Sequence, residues 1–104
     1  MLNTKFIRHR TRGFVLWDAI TEISHLEMVQ RLGFQEHEIH SAGFVSIDPA
    51  GLPVCNGHSG SLNLGSNAAD TPALRRQLGI QQGAALPRMH PTIVLGEAAG
   101  GQAA

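Results

Sequence analysis

Histidine and cysteine are the residues of this chain whose types and spacing first suggest chemistry. The 104-residue sequence contains six histidines and one cysteine. His37 and His40 lie three positions apart, as do Cys55 and His58, and four nitrogen or sulfur ligands at such spacings can hold Zn²⁺ in a tetrahedron. Structural zinc sites commonly use two or more cysteines, so we favour surface histidines and a Cys55 that is a small core residue. We therefore predict no metal ion and no cofactor.

A serine in a glycine-rich loop, Ser59, is the second candidate. It stands in the segment Gly-His-Ser-Gly-Ser at residues 57–61. The nucleophile elbow requires Gly-x-Ser-x-Gly, and Ser61 occupies the position of the final glycine. The chain has no Gly-x-x-x-x-Gly-Lys loop for phosphates, and no catalytic signature flanks Cys55. We predict that the protein is not an enzyme.

Basic residues form two patches that are candidates for binding a phosphate or a charged partner. The first lies in residues 5–12 and the second in residues 75–88. Their members are Lys5, Arg8, Arg10, Arg12, Arg75, Arg76 and Arg88. If the patches converge, they could grip a nucleic-acid backbone.

The overall charge favours a structural interpretation of these patches. The formal net charge is zero at pH 7, whereas nucleic-acid binders usually carry a basic excess. Residues 18–48 contain six acidic residues and one arginine, so the basic patches can pair with them within the fold or between two copies. In a first strand, Arg8, Arg10 and Arg12 would share one face and form a basic stripe. This stripe could be a solvated face that protects a sheet edge from aggregation, or it could bind a phosphate or an acidic group.

The elements that must position these residues are organised around a predicted β-hairpin. A strand at 39–47 precedes the turn Asp48-Pro49-Ala50-Gly51, in which Asp caps the turn, Pro presets φ and Gly suits the last position. Pro53 lies in the return strand and cannot donate a ladder hydrogen bond, which predicts an edge strand.

Two short helices are expected to cover this hairpin. Ser24 at the N-cap and Gly33 at the end delimit a helix at 25–32, and Pro72 near the first position indicates a second helix at 72–78. The remaining extended segments are predicted at residues 4–12, 14–20, 62–64 and 92–95.

The sequence thus predicts an α+β domain at residues 4–95 and a flexible tail at residues 96–104. In this domain a small antiparallel sheet of four or five strands is covered by two short helices. The predicted core consists of Ile7, Val15, Trp17, Leu26, Val29, Leu32, Phe34, Val45, Ile47, Val54, Leu74 and Leu78.

The predicted order of elements from Ser24 to Gly79 is helix, strand, strand, short strand, helix. This order is similar to that of the double-stranded RNA-binding domain and covers about half of the chain. The resemblance implies binding of an RNA backbone, for which that family places a lysine cluster at the start of its second helix. Here Asp70-Thr71-Pro72 stands at that point, and the arginines follow at residues 75 and 76.

The remaining composition indicates a chain for a reducing compartment. A single cysteine excludes an internal disulfide, no apolar run approaches the length of a membrane span, and the basic N-terminus lacks a signal-peptide core. We predict a cytoplasmic, non-catalytic binding or regulatory module of unknown protein partner, self-associating as a homo-oligomer through a sheet edge. Nucleic-acid binding through the two basic patches is the alternative.

Overall fold

The computed structural model describes residues 4–79 and the backbone of residues 94 and 95. The strands β1 to β7 are, in chain order, Thr4–His9, Gly13–Asp18, Ile39–Ile47, Pro53–Asn56, His58–Ser59, Leu64–Gly65 and Val94–Leu95, and the helices are α1, His25–Arg31, and α2, Asp70–Gln77. Five strands form an antiparallel sheet in the order β4-β3-β1-β2-β7, and β5 pairs with β6 in a second small sheet. The predicted α+β class is confirmed. The proposed tail at 96–104 lies outside the described residues, as does Arg88.

Both faces of the sheet are covered, one by each helix. On one face, Leu74 of α2 packs in a cluster with Phe6, Phe14 and other buried residues. On the other face, Val29 of α1 packs with Trp17 and its neighbours. Successive strand residues face opposite sides, so burial on both faces explains the uninterrupted apolar run in β2.

The predicted core is partly right. Ile7, Val15, Trp17, Val29, Val45 and Leu74 are buried, and Leu32, Phe34 and Leu78 are partly buried against the clusters. Leu26, Ile47 and Val54 are only half-buried and belong to neither cluster, so their prediction as core residues was wrong. Cys55 is buried, as expected of a small core residue. Core residues that the sequence did not single out are Phe6, Phe14, Leu16, Met28, Ile39, Ala42 and Ala73.

The first strand is shorter than predicted. It ends at His9, and residues 10–12 form the turn to β2, so Arg10 and Arg12 do not continue the face on which Arg8 lies. The cause is local, because the His9 ring accepts hydrogen bonds from the backbone N–H groups of Thr11 and Arg12 and so turns the chain back. Gly13 completes the turn with φ of 83°, a value that glycine adopts without strain.

The second strand also ends early, at Asp18 rather than at residue 20. The Asp18 carboxylate accepts a hydrogen bond from the Ile20 N–H and caps a 3₁₀ helix at Ala19–Thr21. Side-chain acceptors of this kind compete with the strand ladder for backbone donors.

The central hairpin is formed as predicted. Asp48 Oδ1 accepts hydrogen bonds from Ala50 N and Leu52 N, and Gly51 has φ of 86°. β4 lies at one end of the sheet order, as Pro53 indicated. At the start of β3, His9 pairs with Ile39 whereas Arg8 pairs with Ser41, so His40 is an extra, bulged residue.

The helices lie close to their predicted positions. Ser24 caps α1 by accepting the Glu27 N–H, and Gly33 follows with φ of 74°. The second helix starts at Asp70, two residues before the predicted start, and ends at Gln77. The predicted short third strand is β6, which pairs with β5 rather than joining the main sheet. Within residues 4–79, no helix combines the length and apolar character needed to cross a membrane.

Candidate ligand-binding pocket

The candidate site is a pocket of about 310 Å³ beside the β1–β2 turn. Its walls come from the end of β1, the turn, the segment that follows α1, and the 3₁₀ helix at Glu36–Glu38. The lining residues are His9, Arg12, Leu32, Gly33, Phe34 and Glu38. A volume of this size lies at the lower end of small-molecule sites.

His9 is the buried polar residue of the pocket. Its side chain is only 4% exposed, and the Phe34 ring packs edge-on against it with ring centroids 4.5 Å apart. The Nδ1 atom accepts hydrogen bonds of 3.1 Å from both Thr11 N and Arg12 N. Because Nδ1 is an acceptor, the ring proton of the neutral form sits on Nε2.

The Nε2–H group of His9 makes no hydrogen bond with residues 4–79. Its nearest acceptor, Glu38 Oε1, is 3.6 Å away, which is longer than an effective hydrogen bond. Because His9 lines an open pocket, its Nε2–H can donate either to water or to a bound molecule.

Glu38 supplies negative charge on the same wall. Its Oε1 atom accepts the Gln35 N–H at 2.8 Å, and that hydrogen bond holds the pKa of the Glu38 carboxyl below its ordinary value. The carboxyl is therefore ionised at neutral pH. Its Oε2 atom has no hydrogen bond within residues 4–79 and remains an acceptor for a ligand.

Arg12 supplies the positive charge. Its backbone is fixed by the His9 ring, whereas the exposed side chain has neither hydrogen bond nor ion pair within residues 4–79. A guanidinium group offers five N–H donors in a planar fork suited to carboxylate or phosphate. Of the predicted basic residues, Arg12 is the one that the fold places in the pocket.

Four of the other predicted basic residues are held by contacts within the fold. Lys5 Nζ donates to the Ile23 carbonyl at 2.9 Å, and Arg10 Nε donates to the His37 carbonyl at 2.8 Å. Arg8 and Arg75 make ion pairs. Arg76 is exposed and makes no such contact with residues 4–79.

Arg8 belongs to a buried polar network on the α2 face. Its Nη1 atom lies 3.0 Å from Oδ1 of Asp70, a residue with no exposed surface. The same oxygen accepts the Ser41 hydroxyl at 2.9 Å, and Oδ2 accepts Asn67 N at 2.8 Å. The Arg8 guanidinium also lies 5.2 Å from the centroid of the Phe14 ring. With its charge neutralised in this way, Arg8 acts as a structural residue.

Arg75 and Thr71 close the outer edge of β4. Arg75 Nε donates to the Pro53 carbonyl at 3.0 Å, and its Nη2 lies 3.5 Å from Asp48 Oδ2. Thr71 Oγ1 accepts the Cys55 N–H at 2.9 Å. Pro53 has no N–H to offer to a further strand. The side chains of Thr71 and Arg75 in α2 occupy the Cys55 N–H and the Pro53 carbonyl, which such a strand would need.

The residues considered for catalysis and metal binding do not come together. Burial, with the nearby Asp70 carboxylate as a smaller contribution, raises the pKa of the Cys55 thiol to about 12, so the thiol is not a nucleophile at neutral pH. Ser59 is buried and its Oγ accepts the Leu62 N–H within the loop. Among residues 4–79, no three His, Cys, Asp or Glu side chains are grouped so as to hold a metal ion.

Sequence reasoning did not single out His9, Glu38 or the segment at residues 32–34 as a site. Only Arg12 was a candidate, and it was assigned to a stripe on the first strand. A usable signal was the His-x-Thr-Arg-Gly order, in which a histidine acceptor precedes a glycine turn. No family model, no curated protein and no solved structure matches the chain.

Proposed function

We propose that this protein is a non-catalytic binding module whose ligand site is the pocket between the β1–β2 turn and the end of α1. One observation carries the proposal: His9, whose Nε2 atom makes no hydrogen bond within residues 4–79, lines the same cavity as Arg12 and Glu38. A concave site in which a few polar groups converge is the usual setting for binding a small molecule.

Nuclear magnetic resonance of the labelled full chain tests this proposal. The protein is titrated with mixtures of free amino acids, small carboxylic acids and sugar phosphates. We expect shifts of the backbone amides of Leu32, Gly33 and Phe34. The variant Arg12→Gln should lose these shifts, whereas Arg76→Gln, which removes an exposed arginine elsewhere, should keep them. If no compound shifts the pocket amides, or if the arginine variants behave alike, the proposal is wrong.

Self-association through a sheet edge is the second part of the proposal. Because Thr71 and Arg75 occupy the outer edge of β4, a second copy would pair on the β2 side. There, within the described part of the chain, two of the six residues of β2, Val15 and Leu16, pair with β7. Light scattering over a range of concentrations tests this part, and a monomer mass throughout would refute it.

Nucleic-acid binding has less support than pocket binding. Lys5, Arg8, Arg10 and Arg75 make contacts within the fold, so they would have to exchange those contacts for phosphates. The order of elements from α1 to α2 is helix, strand, strand, short strands, helix. However, β3 and β4 of this segment share one sheet with β1 and β2, which precede α1 in the chain. The segment that resembles a double-stranded RNA-binding domain therefore does not form its sheet by itself.

A further inference from the structure

We infer that the pocket binds a small zwitterion of the α-amino acid type, with its carboxylate on Arg12 and its ammonium group on Glu38. This inference rests on the proposed function, because it concerns the same pocket, and it adds the chemical class of the ligand. It follows from the charges on the walls rather than from the shape alone.

The two charges of the pocket have opposite sign and neither neutralises the other directly. Arg12 has no ion pair within residues 4–79, and the side-chain nitrogen that lies within 4 Å of Glu38 is His9 Nε2, at 3.6 Å. A simple anion would pair with Arg12 but would be repelled by the Glu38 carboxylate. A simple cation would pair with Glu38 but would be repelled by Arg12. A ligand with both charges satisfies both walls.

The segment after α1 contributes backbone to the pocket, since Leu32 and Gly33 line it. The carbonyl groups of Met28, Val29 and Gln30 at the end of α1 already accept backbone N–H groups, so the negative charge of the pocket comes from Glu38. His9 lines the same pocket, and its Nε2–H can share the ligand carboxylate with Arg12.

The size of the cavity limits the side chain of the ligand. The exposed lining is mainly polar, and Leu32 and Phe34, which are partly buried in the cluster beneath it, add a small apolar area. A pocket of about 310 Å³ accommodates a compact amino acid. Valine is a suitable probe because it is compact and because its two analogues each lack one of the charges.

Three compounds with one branched apolar group separate the contributions of the two charges. Valine carries both charges, isovalerate lacks the ammonium group and isobutylamine lacks the carboxylate. We expect valine to bind the full chain about tenfold more tightly than either analogue, since one charge-assisted hydrogen bond contributes about that factor. Shifts of the Gly33 and Phe34 amides in resonance titrations give the affinities.

Matched variants assign each charge to its wall. Glu38→Gln keeps an oxygen that can accept the Gln35 N–H. It should weaken valine binding about tenfold and strengthen isovalerate binding, because the repulsion between the two carboxylates is removed. Arg12→Gln should weaken valine and isovalerate but not isobutylamine. Arg76→Gln should change none of the three affinities.

The possible failures are distinguishable. Equal binding of valine and isovalerate in this pocket would overturn the zwitterion inference and leave the binding module standing. If none of the three probes shifts the pocket amides, the inference is also wrong, and the wider titration with acids and phosphates decides the proposed function separately.

Discussion

At the residue scale, Asp70 shows how a buried charge is accommodated in this fold. Its carboxylate has no exposed surface and accepts hydrogen bonds from the Arg8 guanidinium, the Ser41 hydroxyl and the Asn67 N–H. A buried charge is tolerated when its lone pairs are filled and its partner is close. The network fixes the start of α2 against β1 and β3.

We predict that Asp70→Asn lowers the free energy of unfolding by about 3 kcal/mol, because it leaves Arg8 without its counter-charge and turns an N–H₂ group towards other donors. Urea denaturation measures the change. The exposed pair of Glu27 and Arg31 provides the control, since Glu27→Gln should cost about 0.5 kcal/mol or less. Equal costs for the two variants would show that the network contributes little.

His25 gives the fold a dependence on pH. The ring is buried between Trp17 and Phe44, with centroids 5.5 Å from each, and Nε2 lies 2.8 Å from the Gly43 carbonyl. Burial lowers its pKa from the ordinary value of 6.5. As the pH falls below 6.5, His25 is therefore protonated in the unfolded chain before it is protonated in the folded chain.

It follows that the contribution of His25 to stability is complete above about pH 6.5 and is lost as the pH falls, by at most about 1.4 kcal/mol per pH unit. The variant His25→Gln keeps an N–H donor for the Gly43 carbonyl and should show a weaker loss of stability between pH 7.5 and pH 5.5. Thermal unfolding at both values measures this difference. Parallel losses in the two proteins would assign the pH dependence to other groups.

At the scale of elements, the sequence predicts the helix cap and the hairpin turn, but it did not predict the ends of β1 and β2, which His9 and Asp18 set locally, or the long-range contacts. The turn at Asp48–Gly51 and the cap at Ser24 depend on residues within four positions, so the sequence alone predicts them. The pairing of Arg8 with Asp70 spans 62 positions and depends on how α2 docks on the sheet. The pocket was missed for the same reason, because His9 and Phe34 meet only after α1 has packed on β1.

Helix α2 stabilises the sheet by closing the β4 edge as well as by burying Leu74. We predict that Thr71→Val, which removes the acceptor of the Cys55 N–H, lowers the free energy of unfolding by about 1–2 kcal/mol and accelerates hydrogen exchange at the Cys55 amide. Exchange measured residue by residue checks this. Thr71→Ser keeps the hydroxyl and should restore protection; if it does not, the methyl packing of Thr71 rather than its hydrogen bond matters.

At the scale of the whole molecule, the distribution of charge decides between the two proposed classes of partner. Two of the basic residues predicted to bind phosphate are paired within the fold, Arg8 with Asp70 and Arg75 with Asp48 and the Pro53 carbonyl. We therefore expect light scattering to show no gain of mass when a short RNA or DNA duplex is added at low salt. A gain of mass that disappears when salt is raised would contradict this expectation. The variants would then locate the contact: equal weakening by Arg12→Gln and Arg76→Gln would indicate a broad backbone interface, whereas weakening by Arg12→Gln alone would place the phosphate at the pocket.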